Sequence, residues 1–138
     1  MSAIGMLIEA VRESLCYTGD EDFGDDITSD LGLHALRRAN IERQQAWRTK
    51  DSPKPWSLPQ WGNALAGEVG EACNVVKKID RGDFNADPER GRQMLADELC
   101  DVLTYLDLLA NRAGIDLAAA TYRKWNAVSE RIGSTARL

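Results

Sequence analysis

Two pairs of carboxylates, each pair spaced three residues apart, are the side chains of this sequence best suited to chemistry. The stretch GEVGEACNVVKKIDRG contains Glu68 and Glu71, and the stretch ADELCDVLTYLDLL contains Glu98 and Asp101. Residues i and i+3 of an α-helix project on the same side, so each helix can present two carboxylates to one ion. Four carboxylates brought together repel one another unless a cation lies among them. This spacing therefore predicts a divalent metal site.

The apolar pattern around the acids indicates that both pairs face the protein interior. Glu68 borders the apolar stripe of its helix, and Glu98 and Asp101 lie within or at the edge of the stripe of theirs. One ExxE pair alone is most often exposed or salt-bridged, but two inward pairs on neighbouring helices favour a metal site. Its ligands would all be oxygens. This favours Mg²⁺, with Mn²⁺ as a substitute, over zinc, because the sequence has no Cys/His cluster.

The helices that must position these acids have recognisable start and stop signals. Two prolines in KDSPKPW end the second helix, and Asp87-Pro88 starts the fourth. Gly114 stops the fourth helix, and Asp116 caps the fifth, which ends at Gly133. No stretch is predicted to be a strand. The expected fold is therefore all-α, a helical bundle with a short extra N-terminal helix. Its predicted helices cover residues 3–16, 31–49, 58–80, 88–112 and 117–132.

The sequence predicts one catalytic helical domain preceded by an N-terminal extension. Residues 1–32 comprise the first predicted helix and the acidic connector YTGDEDFGDDITSD, which we interpret as a solvated loop. Residues 33–138 hold the remaining helices. The chain has 138 residues, which is enough for a single hydrophobic core.

Composition and charge exclude several classes of protein. The net charge of −5 and the pI near 4.9 argue against a nucleic-acid-binding protein, which would carry a basic patch. No apolar run approaches the roughly 20 residues that cross a bilayer, and the N-terminus lacks the charged region of a secretory signal. The three cysteines are widely spaced, which fits a reducing compartment. We therefore expect a cytoplasmic protein that binds neither nucleic acid nor membranes.

The order of these motifs resembles a known family. GEVGEACNVVKK followed by LADELCDVLTYLDLLANRAGID is similar to the ExxE…ExxD signature of the all-α NTP pyrophosphohydrolases of the MazG-like superfamily. HALRRANIERQQAW, LPQWGNALAGE and YRKWNAVSERIG are similar to segments of the small MazG-like proteins of bacteriophages and bacteria. The resemblance covers residues 33–138 and leaves residues 1–32 outside.

The resemblance implies Mg²⁺-dependent hydrolysis of a nucleoside triphosphate to the monophosphate and pyrophosphate. Glu68, Glu71, Glu98 and Asp101 match the metal-binding acids of the family, and any one of them, Glu71 for example, is a candidate general base. Lys78 lies further along the same acidic edge of its helix and is the best candidate for a phosphate contact. The family resemblance also implies dimers or tetramers.

The last predicted helix and the aromatic residues supply the other expected substrate contacts. Lys124 and Asn126 match the Lys/Asn pattern of the family's last helix, and three arginines are weaker candidates for phosphate contacts: Arg81, Arg123 and Arg131. A nucleobase site should be apolar and aromatic with a few polar groups. The residues predicted to contact the base are Asn40, Trp47, Asn63 and either Trp61 or Trp56.

Three polar residues are expected to have no role at the site. His34 is interpreted as an ordinary helix residue. Asp97 and Asp107 point away from Glu98 on the helical wheel, so both are interpreted as surface or capping acids.

Several alternatives stay open on the sequence alone. Within the enzyme class, a purine substrate such as dGTP is slightly preferred because of the resemblance to phage proteins, and a pyrimidine such as dCTP is the close alternative. A different class is a non-catalytic helical interaction module whose acids bind a basic partner. A carboxylate-bridged iron protein is disfavoured, because it would need Glu-x-x-His pairs and the chain has one histidine.

Overall fold

The computed structural model describes residues 32–46 and 55–138 of the chain. These residues form helices and no strand, so the all-α prediction is confirmed. The predicted helix at 3–16 and the acidic connector lie outside the described residues, as do Trp47 and the last residues of the helix predicted at 31–49. The helices are α1 (Leu33–Ala46), α2 (Leu58–Arg81), α3 (Pro88–Arg112) and α4 (Leu117–Arg131).

Local hydrogen bonds explain where α2 and α4 begin. Ser57 and Gln60 form a reciprocal capping box, in which the Ser57 N–H donates to the Gln60 side chain over 2.8 Å and the Gln60 N–H donates to the Ser57 hydroxyl over 3.4 Å. The Asp116 carboxylate accepts the Ala119 N–H at 3.0 Å and caps α4, as the sequence predicts.

Glycines in the left-handed region end the last three helices. Gly82, Gly114 and Gly133 have φ angles of 87°, 69° and 71°. Side chains rarely adopt these angles, so glycine is the favoured residue at each end. The predicted stop signals at Gly114 and Gly133 are therefore confirmed, and Gly82 ends α2 in the same way.

Contacts between Cα atoms divide the described residues into two units, and the first is Ala66–Leu103. It contains most of α2, the turn after it and the first part of α3. Ala72 and Val75 are its buried apolar side chains. Gly91 is required in α3, because a Cβ atom there would lie 2.9 Å from the ring of Phe84. This unit carries both acid pairs.

The second unit comprises residues 32–65 and 104–138 as far as they are described. Helices α1 and α4 are in contact within it. Its core includes Leu108, Ala110 and Trp61, and the Trp61 ring packs against Trp56 and Tyr105 with centroid distances of 4.6 and 6.0 Å. Among the described residues, we find no helix with the length and apolar character needed to cross a membrane.

Candidate metal centre

Three of the four predicted acids lie together in the unit Ala66–Leu103. Glu68 comes from α2, and Glu98 and Asp101 come from α3. Each offers a carboxylate oxygen, and these oxygens all lie within 4.8 Å of one another. Glu68 and Glu98 are half-buried and Asp101 is exposed. Two helices therefore bring three of the four predicted acids to one point.

The electrostatics of this cluster favour a bound positive charge. Burial raises the pKa of Glu68 above its ordinary value of 4.5, and the negative charges of Glu71, Asp101 and Glu98 raise that pKa further. Negative neighbours disfavour the ionised form of a carboxylate, and a cation bound nearby favours that form again. An all-oxygen donor set with mixed exposure suits a hard divalent ion that keeps some of its waters. The three residues therefore fit a site for a divalent cation.

Glu71, the fourth predicted acid, lies beside this cluster. Its side chain is exposed, and it is not among the three residues whose oxygens converge within 4.8 Å. Its charge nevertheless contributes to the raised pKa of Glu68. Glu71 is thus close enough to act on the cluster electrostatically while its carboxylate stays open to solvent.

The charge repulsion predicts that Glu68→Gln stabilises the metal-free protein. Because the pKa of Glu68 is raised in the folded state, its stabilising contribution is present at low pH and is lost as pH rises through that raised pKa. At pH 7 without metal, ionised Glu68 therefore destabilises the fold. We expect Glu68→Gln to raise the Tm in EDTA at pH 7 by a few degrees, and to raise it less at pH 4.5.

Thermal unfolding followed by circular dichroism measures this difference. Asp80→Asn is the matched control, because Asp80 is an exposed acid of α2 outside the cluster. Its Tm in EDTA should stay near that of the wild-type protein. A lower Tm for Glu68→Gln than for the wild-type protein at pH 7 would contradict the repulsion.

Lys78 lies near the C-terminal end of α2, ten residues beyond Glu68. It is half-buried, and its charge contributes to a pKa of Asp83 that is held below the usual range chiefly by the hydrogen bond from Arg81. The rise per residue of a helix separates Lys78 from Glu68 by about 15 Å along α2. A phosphate contact by Lys78 would therefore be made at some distance from the carboxylates, and it stays a prediction.

Asp107 is buried, so its interpretation as a surface or capping acid is wrong. Its side chain is 1% exposed and accepts two hydrogen bonds from α1, from Arg37 Nε at 2.8 Å and from Asn40 Nδ2 at 2.9 Å. Arg37 also donates to the Ile115 carbonyl at 3.1 Å. A buried carboxylate needs such a partner, and the Arg37 guanidinium supplies the charge. The feature of the sequence that indicates this burial is that Asp107 is the one charged residue in the apolar run YLDLLA.

Asn40 belongs to the same buried network. The side chain is 1% exposed, and its amide group donates to Asp107 and, at 3.5 Å, to the Thr104 carbonyl. Because the Asp107 carboxylate and the Thr104 carbonyl are both hydrogen-bond acceptors, the Asn40 Nδ2 atom, and not Oδ1, faces them. The Asn40 Oδ1 atom is buried and has no hydrogen-bond partner among the described residues. The predicted contact between Asn40 and the substrate stays a prediction.

The other residues predicted for the nucleobase differ in exposure. Trp61 is 3% exposed, while its neighbour Trp56 is 37% exposed, so Trp56 presents the more accessible ring. Asn63 is exposed on α2. The structure does not describe Trp47.

Lys124 and Asn126 lie on different sides of α4. Residues two apart on a helix are separated by about 200°. Lys124 is exposed and lines a groove of α4, whereas Asn126 is half-buried and its Oδ1 atom accepts the Leu138 N–H at 3.0 Å. Lys124 and Asn126, which both match the family's Lys/Asn pattern, therefore do not share one surface of α4.

The remaining polar candidates are on the surface. Arg81 pairs with Asp83, and Arg123 and Arg131 are exposed on α4. Asp97 is exposed and accepts a hydrogen bond from Gln93 at 2.8 Å, as expected for a surface acid. His34 is an exposed residue of α1.

Comparison with known proteins gives the family. Residues 59–132 match the MazG nucleotide pyrophosphohydrolase domain. A bovine protein named dCTP pyrophosphatase 1 is 33% identical over 129 residues, which cover 90% of this chain and 71% of the relative. The mouse protein of the same name is 33% identical over 72% of this chain and 58% of its own length.

A phage protein is also similar. The gene 37 protein of Mycobacterium phage L5 is 39% identical over 67 residues, which cover 49% of this chain and 59% of the relative. This chain thus spans less than two thirds of the phage and mouse relatives. No solved structure matches it significantly. The domain match covers more than half of the chain and includes all four predicted acids and both helices that carry them, so the chain belongs to the MazG nucleotide pyrophosphohydrolase family.

Proposed function

We propose that this protein hydrolyses a deoxynucleoside triphosphate to the monophosphate and pyrophosphate with Mg²⁺, and so adjusts a nucleotide pool. The observation that carries the proposal is the convergence of Glu68, Glu98 and Asp101 within a chain of this family. When bound there, a divalent cation supplies positive charge that neutralises phosphate oxygens and makes water more acidic. Mn²⁺ should substitute, because it accepts the same oxygen ligands.

The protein's own side chains have separate roles in this proposal. Glu68, Glu98 and Asp101 hold the cation. Glu71, which is exposed beside them, accepts a proton from the attacking water. The water oxygen bonds to the α-phosphorus and the bridging oxygen to the β-phosphorus leaves with pyrophosphate. Lys78, Lys124 and Asn126 are the proposed phosphate contacts, and Asn40, Trp47, Trp61 and Asn63 the proposed contacts near the base.

The nucleobase has two candidates. The resemblance to phage proteins favours a purine such as dGTP. The bovine and mouse relatives are named dCTP pyrophosphatase 1, which favours dCTP. Because 33% identity leaves room for a changed base pocket, both nucleotides belong in the first assay.

A panel of the eight common ribo- and deoxyribonucleoside triphosphates, assayed with Mg²⁺, tests this proposal. We expect a deoxynucleotide, dGTP or dCTP, to give equal amounts of monophosphate and pyrophosphate, with kcat/KM at least about tenfold above the other nucleotides. Chromatography of both products distinguishes this reaction from removal of the terminal phosphate. If no nucleotide is hydrolysed, the non-catalytic interaction module becomes the better account.

We also propose that the chain self-associates as a homodimer or homotetramer. Large apolar side chains are exposed on the unit that holds the acids, namely Val69, Val76, Leu99 and Leu103. On each helix the two residues share one face, since they are four or seven positions apart. A second copy would remove these side chains from water. A monomer mass in light scattering at micromolar concentration would contradict this proposal.

The proposed location is the cytoplasm, or the host cytoplasm if a phage encodes the chain. The widely spaced cysteines support a reducing compartment, and the described ones, Cys73 and Cys100, are free and exposed. A nucleotide pool is available there. Loss of the protein from a cytosolic fraction would contradict the assignment.

A further inference from the structure

Helix α4 and the residues after it form an open apolar groove. The groove has a volume of about 560 Å³. It runs along α4 from Leu117 to Ile132, a length of about 22 Å. Trp125 and Ile132 line it and are 51% and 68% exposed. Large apolar side chains that are exposed together indicate a binding surface more often than side chains exposed singly. All the lining residues belong to the second unit.

The chain after α4 supplies the second wall of this groove. Ser134 and Ala136 line it. The Leu138 N–H donates to the Asn126 side chain at 3.0 Å, which holds this stretch against α4. The Arg137 side chain donates to the carbonyls of Ser134 and Ala136 at 2.7 and 2.8 Å. The two walls make the surface concave, which suits the side of a second helix better than a flat bilayer surface.

Positive charges flank the groove. Lys124 lines it, and Arg131 is seven residues further along α4, so the two side chains project in nearly the same direction and form one cationic edge. Residues 117–138 contain three arginines and one lysine, but Glu130 is their one acid. Glu130 is two positions from the lining residue Val128, which places it on the opposite side of α4. The groove is thus cationic on a chain whose net charge is −5.

The two charges of this edge have no acidic partner in the described chain. The ion pairs of residues 32–46 and 55–138 are formed elsewhere, namely Arg37–Asp107, Arg81–Asp83 and Arg92–Glu89. Acidic side chains of a partner can therefore pair with Lys124 and Arg131 without displacing an existing ion pair. Charge and apolar surface together favour an occupant that is apolar on one side and acidic at its edge.

A second copy of this chain fits the groove poorly, because positive charges would meet. In an antiparallel pair of α4 helices related by a two-fold axis, each edge faces the same edge of the other helix. Lys124 and Arg131 would then lie against the same two residues of the other copy. In a parallel pair the cationic edge would face the wall formed after α4, which carries Arg137. The charges therefore favour a different, acidic partner.

We propose that the α4 groove binds an amphipathic, acidic helix of another protein. Apolar side chains of that helix cover Trp125 and Ile132, and two of its carboxylates lie beside Lys124 and Arg131. A helix lying along α4 needs about 15 residues to span the groove. Its two acids are seven positions apart at one edge of its apolar stripe, which matches the spacing of the two cations. This inference does not depend on the proposed hydrolysis.

Titration of the full chain into a fluorescent synthetic peptide tests the proposal. The peptide is a helix of about 15 residues with leucines three and four positions apart and, beside them, two glutamates seven positions apart. In the control peptide the two glutamates are lysines. We expect the glutamate peptide to bind at least about tenfold more tightly than the lysine peptide at low salt, and added salt to reduce the difference. Equal binding of the two peptides, or no binding of either, would overturn the proposal.

Substitutions in the protein locate the binding surface. Lys124 is also a proposed phosphate contact, so the variants change other residues. Trp125→Ala should weaken binding of the glutamate peptide about tenfold or more, because it removes the exposed ring of the groove. Arg131→Glu should weaken it about fivefold or more and strengthen binding of the lysine peptide.

The matched control is Arg123→Glu. Arg123 is exposed and two positions from Trp125, so it lies on the opposite side of α4. The same reversal of charge at this position should leave binding of both peptides within about twofold of the wild-type value. Circular dichroism checks that each variant is folded. Equal effects of Arg131→Glu and Arg123→Glu would show that the peptide does not bind along the cationic edge, which overturns the proposal.

Two further measurements address other occupants of the groove. We expect the chain not to sediment with vesicles of phosphatidylserine and phosphatidylcholine, and Trp125→Glu to keep the wild-type mass in light scattering. Sedimentation with the vesicles that Trp125→Glu abolishes would assign the groove to a membrane surface. A smaller mass for Trp125→Glu would assign it to a second copy. Either result would overturn the proposal.

Discussion

We expect Glu98→Gln to abolish the proposed nucleotide hydrolysis and to leave the protein folded. The substitution keeps the shape of the side chain but replaces a charged oxygen ligand with an amide. Even residues that only support metal ligands cost about 10- to 100-fold when they are changed, so loss of a direct ligand should lower kcat/KM by at least about 100-fold. The fold should persist, because the change also removes one of the charges that act on Glu68.

The control for this variant is Asp97→Asn, its neighbour in α3. Asp97 is exposed, accepts a hydrogen bond from Gln93, and is not part of the acid cluster. The same change from carboxylate to amide at this position should leave kcat/KM within about twofold of the wild-type value, as expected for a surface substitution. Steady-state pyrophosphate release and circular dichroism give the two readouts. A folded Glu98→Gln variant with wild-type activity would remove Glu98 from the proposed site.

We expect Asp107→Ala to destabilise the protein strongly. The substitution removes the acceptor that Arg37 and Asn40 share and leaves both donors in a largely buried place. Breaking a buried ion pair by removing one partner costs about 3–5 kcal/mol. For a chain of this length, that loss should lower the Tm by roughly 10 °C or more. Urea unfolding would measure the free energy directly.

An exposed pair on the same protein provides the comparison. Asp83 pairs with Arg81 at the protein surface, where water screens both charges. Asp83→Ala should therefore change the Tm very little. If Asp107→Ala and Asp83→Ala lower the Tm by the same small amount, the network around Asp107 does not stabilise the fold.

The positions of the helices could be predicted because their signals are local. Asp116 caps the turn that immediately follows it, and Gly82, Gly114 and Gly133 end helices through their own backbone angles. The acid pairs could be predicted for a related reason. Helical periodicity places residues i and i+3 on the same side of a helix. Two such acid pairs on neighbouring helices favour one shared metal site. The structure accordingly brings Glu68, Glu98 and Asp101 to one point.

The burial of Asp107 was not predicted, because it depends on a contact with a residue that is distant in the sequence. Asp107 is 180° from Glu98 on the helical wheel, which suggested the solvent side of α3. Its ion-pair partner Arg37 is 70 residues away in sequence, so burial of Asp107 requires a packing arrangement that periodicity in α3 cannot indicate. Lys124 and Asn126 differ from this case, because helical periodicity alone already separates two residues at this spacing by about 200°.

The role of the acid cluster can be tested through the dependence of pyrophosphate release on a divalent cation. The wild-type protein should be assayed with its preferred deoxynucleotide before EDTA, after EDTA and after addition of excess Mg²⁺. We predict one pyrophosphate for each monophosphate at the start, no turnover after chelation, and full recovery with Mg²⁺ or Mn²⁺. Turnover that continues unchanged in EDTA, after removal of residual metal by dialysis, would contradict a reaction that depends on a cation held by Glu68, Glu98 and Asp101.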